Sequence, residues 1–315
     1  MTPPIDLSTC ETHFCEMDDG AKIAFRRWSG PKHKRIVISH GNGLAVDGFA
    51  EFGAALAAEF EIVAFDMRNH GMSPQSPHPD DPWPRYIADV PLIYNAISET
   101  FGEKETHGAF HSMASACTLI AQSLTPSPWS TLTLFEPPIR PAVQSKAMED
   151  FDQIQASLSA RAAKRRRTFP SPAKLAASFE RAPSFGGIPK SSIERLAAGS
   201  VFERGTNSEE PWELVLMPEA EALNFIKAND LHLYWDGLSN VKTPVQIITG
   251  DRVSHDMPYL IDIADIMAMQ FGFPIASVAG TNHFMQLQEP ELCAQHIFDF
   301  VKKNKSGKNS VDNQA

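Results

Sequence analysis

Apolar positions along the chain change their period repeatedly, and each change marks an element. Residues 12–17 and 21–28 alternate polar and apolar side chains on either side of Asp18-Asp19-Gly20, the pattern of a β-hairpin with a tight turn. Ile36-Val37-Ile38 lies in a short apolar run that predicts a strand over 35–39. Phe49, Phe52, Leu56 and Phe60 then recur at three- and four-residue spacing, so a helix over 48–59 presents one face to a sheet. Similar runs predict strands at 61–65, 129–135, 245–250 and 273–278, and a short stretch rich in small residues predicts another at 105–110. Helices are expected at 86–100, 112–124, 258–270 and 290–302, with a proline-rich loop at 74–84. Strands alternating with helices build an α/β, doubly wound, mostly parallel sheet. Active sites in such sheets lie at the carboxyl ends of the strands.

Residues 139–242 break the alternation. Their pattern is largely helical, over 143–163, 171–180, 190–198 and 218–228, with Ser171-Pro172 and Pro218-Glu219 as helix starts. This divides the chain into a discontinuous core, 1–138 and 243–302, and an insertion at 139–242. Residues 303–315 are polar and read as a disordered tail. The run Lys164-Arg165-Arg166-Arg167 could be a targeting or acidic-ligand patch, but a solvated helix end, favoured by the helix dipole, is the preferred reading.

Composition narrows the function classes. The chain has 315 residues and is 43% hydrophobic, enough for a sizeable core. A net charge of −10 argues against a general nucleic-acid binder. No apolar run is long enough to span a bilayer, and Met1-Thr2-Pro3-Pro4-Ile5-Asp6 lacks a signal-peptide layout. The final Asn-Gln-Ala matches no retrieval or peroxisomal tail. Cys10, Cys15, Cys117 and Cys293 show no metal-ligand spacing and are expected to be reduced thiols in a cytoplasmic protein.

The loops after the strands carry the chemistry. Phe110-His111-Ser112-Met113-Ala114-Ser115-Ala116 sets a serine among small residues where a strand turns into a helix, as a nucleophile elbow requires. Ala114 fills the second glycine position of Gly-x-Ser-x-Gly, whereas Phe110 departs from the first. His40-Gly41-Asn42-Gly43 follows the 35–39 strand, and Asp66-Met67-Arg68-Asn69-His70-Gly71-Met72-Ser73 follows the next. Near the C-terminus stands Gly280-Thr281-Asn282-His283-Phe284. With these four segments in this order, the chain resembles the α/β-hydrolase superfamily from about residue 20 to residue 302, outside the insertion. That resemblance implies the α/β-hydrolase fold with 139–242 as a helical cap over the active site. It implies Ser112 as nucleophile, His283 as base and acid, and the backbone N–H groups of Met113 and Asn42 as oxyanion hole. Gly43 is a weaker second donor. His40, Asp66, Arg68 and His70 are expected to brace the loops. His111 is expected to be a pocket wall or a satisfied polar group, and His107 and His111 are not expected to form a metal pair.

The acid departs from the family pattern. The superfamily usually carries Gly-x-x-Asp after the strand that ends at Gly250, and Val253 stands at that aspartate. Glu136, Asp251 and Asp256 are the candidates in its place. Glu136 is favoured, because it ends the apolar strand Leu132-Thr133-Leu134-Phe135, is followed by Pro137-Pro138, and occupies the acid position of certain haloalkane dehalogenases. Dehalogenases also share the His-Gly-Asn loop but use an aspartate nucleophile, whereas this chain has Ser112. A serine suits acyl chemistry on an ester, thioester or lactone. The expectation is a serine esterase-, lipase- or lactonase-like enzyme, without cofactor or metal, acting on a medium-sized, largely apolar small-molecule acyl substrate. Two alternatives remain: a cofactor-free lyase or dioxygenase on the same fold, and a catalytically inactive hydrolase fold used for binding. Oligomeric state is not legible.

Overall fold

The structure is a computed structural model that describes residues 5–205 and 208–312. The stretch 1–4, where a signal peptide would begin, and the closing 313–315 lie outside the described residues.

The expected hairpin forms from β1 (Thr12–Glu16) and β2 (Lys22–Arg27), turning at Gly20 with φ 83°. Next come β3 (Lys34–Ser39), α1 (Ala50–Leu56), β4 (Glu61–Phe65), α2 (Trp83–Phe101), β5 (Glu105–His111), α3 (Met113–Leu124) and β6 (Leu132–Phe135). After the insertion the core resumes with β10 (Val245–Thr249), α8 (Tyr259–Phe271), β11 (Ile275–Ser277), α9 (Met285–Gln288) and α10 (Pro290–Asp312). The eight strands form one sheet in the order β1-β2-β4-β3-β5-β6-β10-β11. From β4 to β11 every pairing is parallel, while β1–β2 and β2–β4 are antiparallel. β3, β4, β6 and β10 are almost wholly buried, which is why they read as largely apolar runs without alternation, while the equally buried β5 is built from small and polar residues around Ala109 and Phe110. Two apolar clusters bury the sheet's faces, one holding Tyr86, Phe110 and Leu119, the other Phe49, Phe135 and Ile297.

The insertion contributes α4 (Lys146–Ala162), α5 (Pro172–Glu180), α6 (Lys190–Gly199) and α7 (Pro218–Lys227), close to the expected helices. It also holds a three-stranded antiparallel sheet of β7 (Thr168–Phe169), β9 (Trp212–Leu214) and β8 (Val201–Glu203), which the sequence reading missed. Strands of two or three residues are too short to display a period of two.

One expectation needs correction. α10 does not stop at residue 302 but runs to Asp312, so the expected disordered tail begins inside a helix. The basic run follows the end of α4 with Lys164, Arg166 and Arg167 exposed, the solvated helix end of the preferred reading, and its three arginines are ion-paired as well. Arg165 pairs with Glu221, Arg166 with Glu210, and Arg167 Nε lies 2.6 Å from Glu213 Oε1. The acids stand some 45 to 55 residues downstream, so local sequence does not reveal the pairing. All four cysteines are free, and among the described residues no helix is long and apolar enough to cross a membrane.

Candidate active site

Six neighbouring strands bring their C-terminal loops to one edge of the sheet. Ser112 sits between β5 and α3 with φ 51° and ψ −113°, a strained backbone that few non-glycine residues adopt. Neighbours hold it there. Ser112 N–H donates to Phe135 O at 2.9 Å, and the Ser115 hydroxyl donates to Phe110 O. The small residues expected around the serine have a visible cause on the facing loop. A Cβ on Gly41 would stand 2.9 Å from Ser112 Cβ, so only glycine allows this approach. Phe110 is tolerated at the missing glycine because its ring folds back over Gly108, where a Cβ would lie 2.4 Å from Phe110 Cε2. The ring then packs against Trp129 with centroids 5.5 Å apart.

Glu136 leaves β6 with φ 45° and is fully buried. Its Oε2 accepts from His283 Nδ1 at 2.6 Å. Its Oε1 accepts from Gly250 N–H and from His255 Nε2, each at 2.8 Å. Burial alone would push this carboxyl up, but the hydrogen bonds from His255 and His283 outweigh it and lower its pKa to about 2. His255 Nδ1 is occupied by the Met257 N–H at 2.8 Å, so the proton of the neutral ring resides on Nε2, facing Glu136. His283 binds Glu136 through Nδ1 and thereby leaves Nε2 for the cavity.

The structure therefore brings Glu136 to His283, and neither alternative acid. Asp251 accepts Val253 N–H at 3.1 Å and Gly280 N–H at 3.0 Å, tying the two loops together, and these backbone bonds lower its pKa. Asp256 accepts from the Ser184 hydroxyl and lies 3.9 Å from His255 Nδ1. Val253 is 92% exposed. His255 was missed by the sequence reading. The available signal was a second histidine in the loop whose usual acid is absent.

The bracing residues behave as expected. Asp66 accepts Val46 N–H at 2.8 Å and Met72 N–H at 3.1 Å, and His40 Nε2 accepts Met67 N–H at 3.1 Å. Arg68 forms a double bond pair with Asp89 at 2.9 and 2.7 Å and also reaches Asp19. His70 Nε2 accepts the Gly43 N–H at 3.1 Å, and burial keeps this imidazole neutral by lowering its pKa to about 3. That bond removes Gly43 as an oxyanion donor. The N–H groups of Asn42 and Met113 have no hydrogen-bond partner among the described residues, the latter because it opens α3. Asn42 is fixed instead through its side chain, which donates to Glu221 O at 3.2 Å and accepts from Asn224 at 2.8 Å.

His111 is a pocket wall, the first of its two expected roles: it lines the cavity, neither ring nitrogen has a hydrogen-bond partner among the described residues, and its ring centroid lies 4.5 Å from that of His283. Burial, and then the His283 charge, hold its pKa well below the usual value. His107 is satisfied by Thr131 at 2.8 Å and Glu105 at 3.1 Å. Glu136, His255 and His283 offer ligand atoms within 4.8 Å of one another. Ligand atoms around a tetrahedral zinc sit about 3.3 Å apart, from its bond lengths of about 2.0 Å. Separations of 2.6 and 2.8 Å are instead those of direct hydrogen bonds.

Ser112 and His283 open into one cavity of about 980 Å³ between the sheet edge and the insertion. Its wall is mainly apolar, with Leu158, Leu175, Phe179, Phe185 and Leu260 among its residues. The family model described as "Alpha/beta hydrolase family" matches residues 36–296. The chain belongs to the alpha/beta hydrolase family. No protein of curated function matches it by sequence. Solved structures share its fold at low identity. E-2-(acetamidomethylene)succinate hydrolase superposes with a TM-score of 0.73 at 18% identity, covering 93% of this chain and 99% of that one. The thioesterase domain of the curacin biosynthetic pathway gives 0.68 at 18% identity, with 92% and 99% covered. A thermophilic esterase from Thermogutta terrifontis gives 0.65 at 16% identity, with 94% and 99% covered.

Proposed function

We propose that this alpha/beta hydrolase is a serine hydrolase that cleaves an ester, thioester or lactone of a medium-sized substrate through an acyl-enzyme, with 139–242 as its cap. The observation that carries this reading is the 2.6 Å bond from His283 Nδ1 to a buried, ionised Glu136, beside a serine in the strained elbow conformation. Ser112 Oγ attacks the carbonyl carbon while His283 Nε2 takes its proton. Glu136 holds the Nδ1–H tautomer and stabilises the imidazolium. The carbonyl oxygen gains charge and receives the N–H groups of Met113 and Asn42, donors worth roughly 3–4 kcal/mol each where measured. Collapse expels the alcohol or thiol, which takes the proton from His283. A water deprotonated by His283 then releases the acid and restores Ser112. The largely apolar wall favours a largely apolar acyl group, and similarity to an esterase and a thioesterase supports both leaving-group classes.

A panel of acyl esters, thioesters and lactones of graded chain length tests the reading. Turnover of at least one class, lost in Ser112→Ala, is expected. Turnover of none, with isomerisation or cleavage of a non-acyl substrate that survives Ser112→Ala, would favour proton abstraction by His283 instead.

A further inference from the structure

The wall of the cavity carries more positive charge than the chain as a whole. Arg161, Lys164, Arg165 and Arg166 line it, against the carboxylates of Glu221 and Asp256 only, in a chain of net charge −10. Both carboxylates are engaged, Glu221 with Arg165 and Asp256 with the Ser184 hydroxyl. The cations divide into two kinds. Arg165 and Arg166 are held by Glu221 and Glu210, and Arg166 also lies over Phe169 at 5.7 Å. Arg161 and Lys164 have no carboxylate within ion-pair distance among the described residues, although acids hold the neighbouring 165–167 run. Both are exposed side chains on the cavity wall, so they can take a charge from a ligand.

Their placement says where that charge would sit. Ile154, Leu158 and Arg161 share one face of α4 at helical spacing, and all three line the cavity. Over seven residues, about 10 Å of helix, this face changes from apolar to cationic. Arg165, just beyond, approaches the oxyanion loop: its Nη1 would lie 3.2 Å from a Cβ on Gly43, next to Asn42. An apolar strip and a cationic end therefore share the cavity with Ser112 and His283.

We infer that the substrate is an amphipathic acyl compound whose apolar part packs against the Ile154–Leu158 strip and whose anionic group is received by Arg161 and Lys164. This rests on the serine-hydrolase reading for the reaction but not for the binding. The shared chemistry is an anionic oxygen group, which could be a carboxylate on the acyl chain or a phosphate on the leaving group.

The test compares kcat/KM for four substrates of matched chain length: a dicarboxylic half-ester, the corresponding neutral diester, a thioester of a phosphorylated thiol with an uncharged acyl chain, and the same thioester without its phosphate. The half-ester or the phosphothioester should exceed its neutral analogue by about tenfold at low salt, and the preference should shrink with added salt. Whichever is preferred identifies the source of the charge. The ratio of anionic to neutral kcat/KM should fall to about one in Arg161→Gln/Lys164→Gln, while Lys174→Gln, on the exposed face of α5, should retain it. Phosphonate labelling of Ser112, run alongside, keeps the two readings apart. Labelling and turnover without preference for any anion overturn the anion subsite and leave the hydrolase intact. Should no substrate turn over, calorimetry of suberate against the diol of equal chain length decides: tighter suberate binding, lost in the double variant, supports the subsite, and equal binding overturns it.

Discussion

Replacing Glu136 with glutamine keeps the side chain's shape and removes its charge, which makes it a direct perturbation of the buried cluster. The wild-type carboxylate accepts three hydrogen bonds, from His283, His255 and Gly250, and it has no donor of its own when ionised. A glutamine amide has one oxygen and one NH₂, so at least one of these three donors must face another donor. If the oxygen keeps Gly250 and His255, His283 loses its acceptor and turns to the tautomer with the proton on Nε2, where it cannot act as base. The comparable aspartate-to-asparagine change in a serine-protease triad costs about 10⁴ in kcat. A loss of about 10³–10⁴ is therefore expected here, roughly 4–5 kcal/mol of barrier, with KM changed less than about threefold.

Stability supplies a second readout of the same change. The folded pKa of Glu136 is depressed from 4.5 to about 2. Its ionisation therefore contributes stability that is fully present above about pH 4.5 and is lost as pH falls toward 2. By linkage this is on the order of 3 kcal/mol. Glu136→Gln should flatten that part of the acid-unfolding curve. Initial rates on an activated ester from pH 5 to 9, with urea unfolding from pH 2 to 7, measure both. A variant within tenfold of wild-type kcat would refute the catalytic argument, even if its acid unfolding changed as expected.

His255→Phe removes one donor from the buried carboxylate and should lower kcat by about ten- to a hundredfold and stability by about 1–3 kcal/mol; wild-type kinetics would show that Glu136 is oriented without it. Gly41→Ala places a methyl 2.9 Å from Ser112 Cβ and should lower kcat/KM strongly, while thermal unfolding shows whether the fold survives. Asp251→Asn and Asp256→Asn should keep kcat within about fivefold, since neither carboxylate bonds His283. A loss in either comparable to that of Glu136→Gln would return the acid to the β10 loop.

Most of the sheet was legible because its strands are buried on both faces and its helices carry apolar stripes. The positions of the loops at its carboxyl edge follow from that order alone. The contact between Glu136 and His283 was legible too, because Glu136 ends an apolar strand next to the one bearing Ser112. His255 was not, because its partner lies 119 residues away and only its place in a loop that lacks the usual acid sets it apart. The same distance problem hid the ion pairs of Arg165, Arg166 and Arg167 with acids on the far side of the insertion. The departure at Phe110 became intelligible only when its ring was seen to occupy the space above Gly108, two residues earlier on the same face of β5. The helical continuation to Asp312 was missed because a polar, lysine-rich segment has no apolar stripe to reveal it.

Intact mass analysis after treatment with a fluorophosphonate, followed by peptide mapping, tests the central claim most directly. Ser112 is expected to be an activated nucleophile, so wild-type protein should gain one adduct on the peptide bearing Ser112. Ser112→Ala should gain none and lose ester turnover, and Glu136→Gln should label more slowly by a factor comparable to its loss of kcat. Full turnover in Ser112→Ala, or an adduct on any residue other than Ser112, would contradict the account.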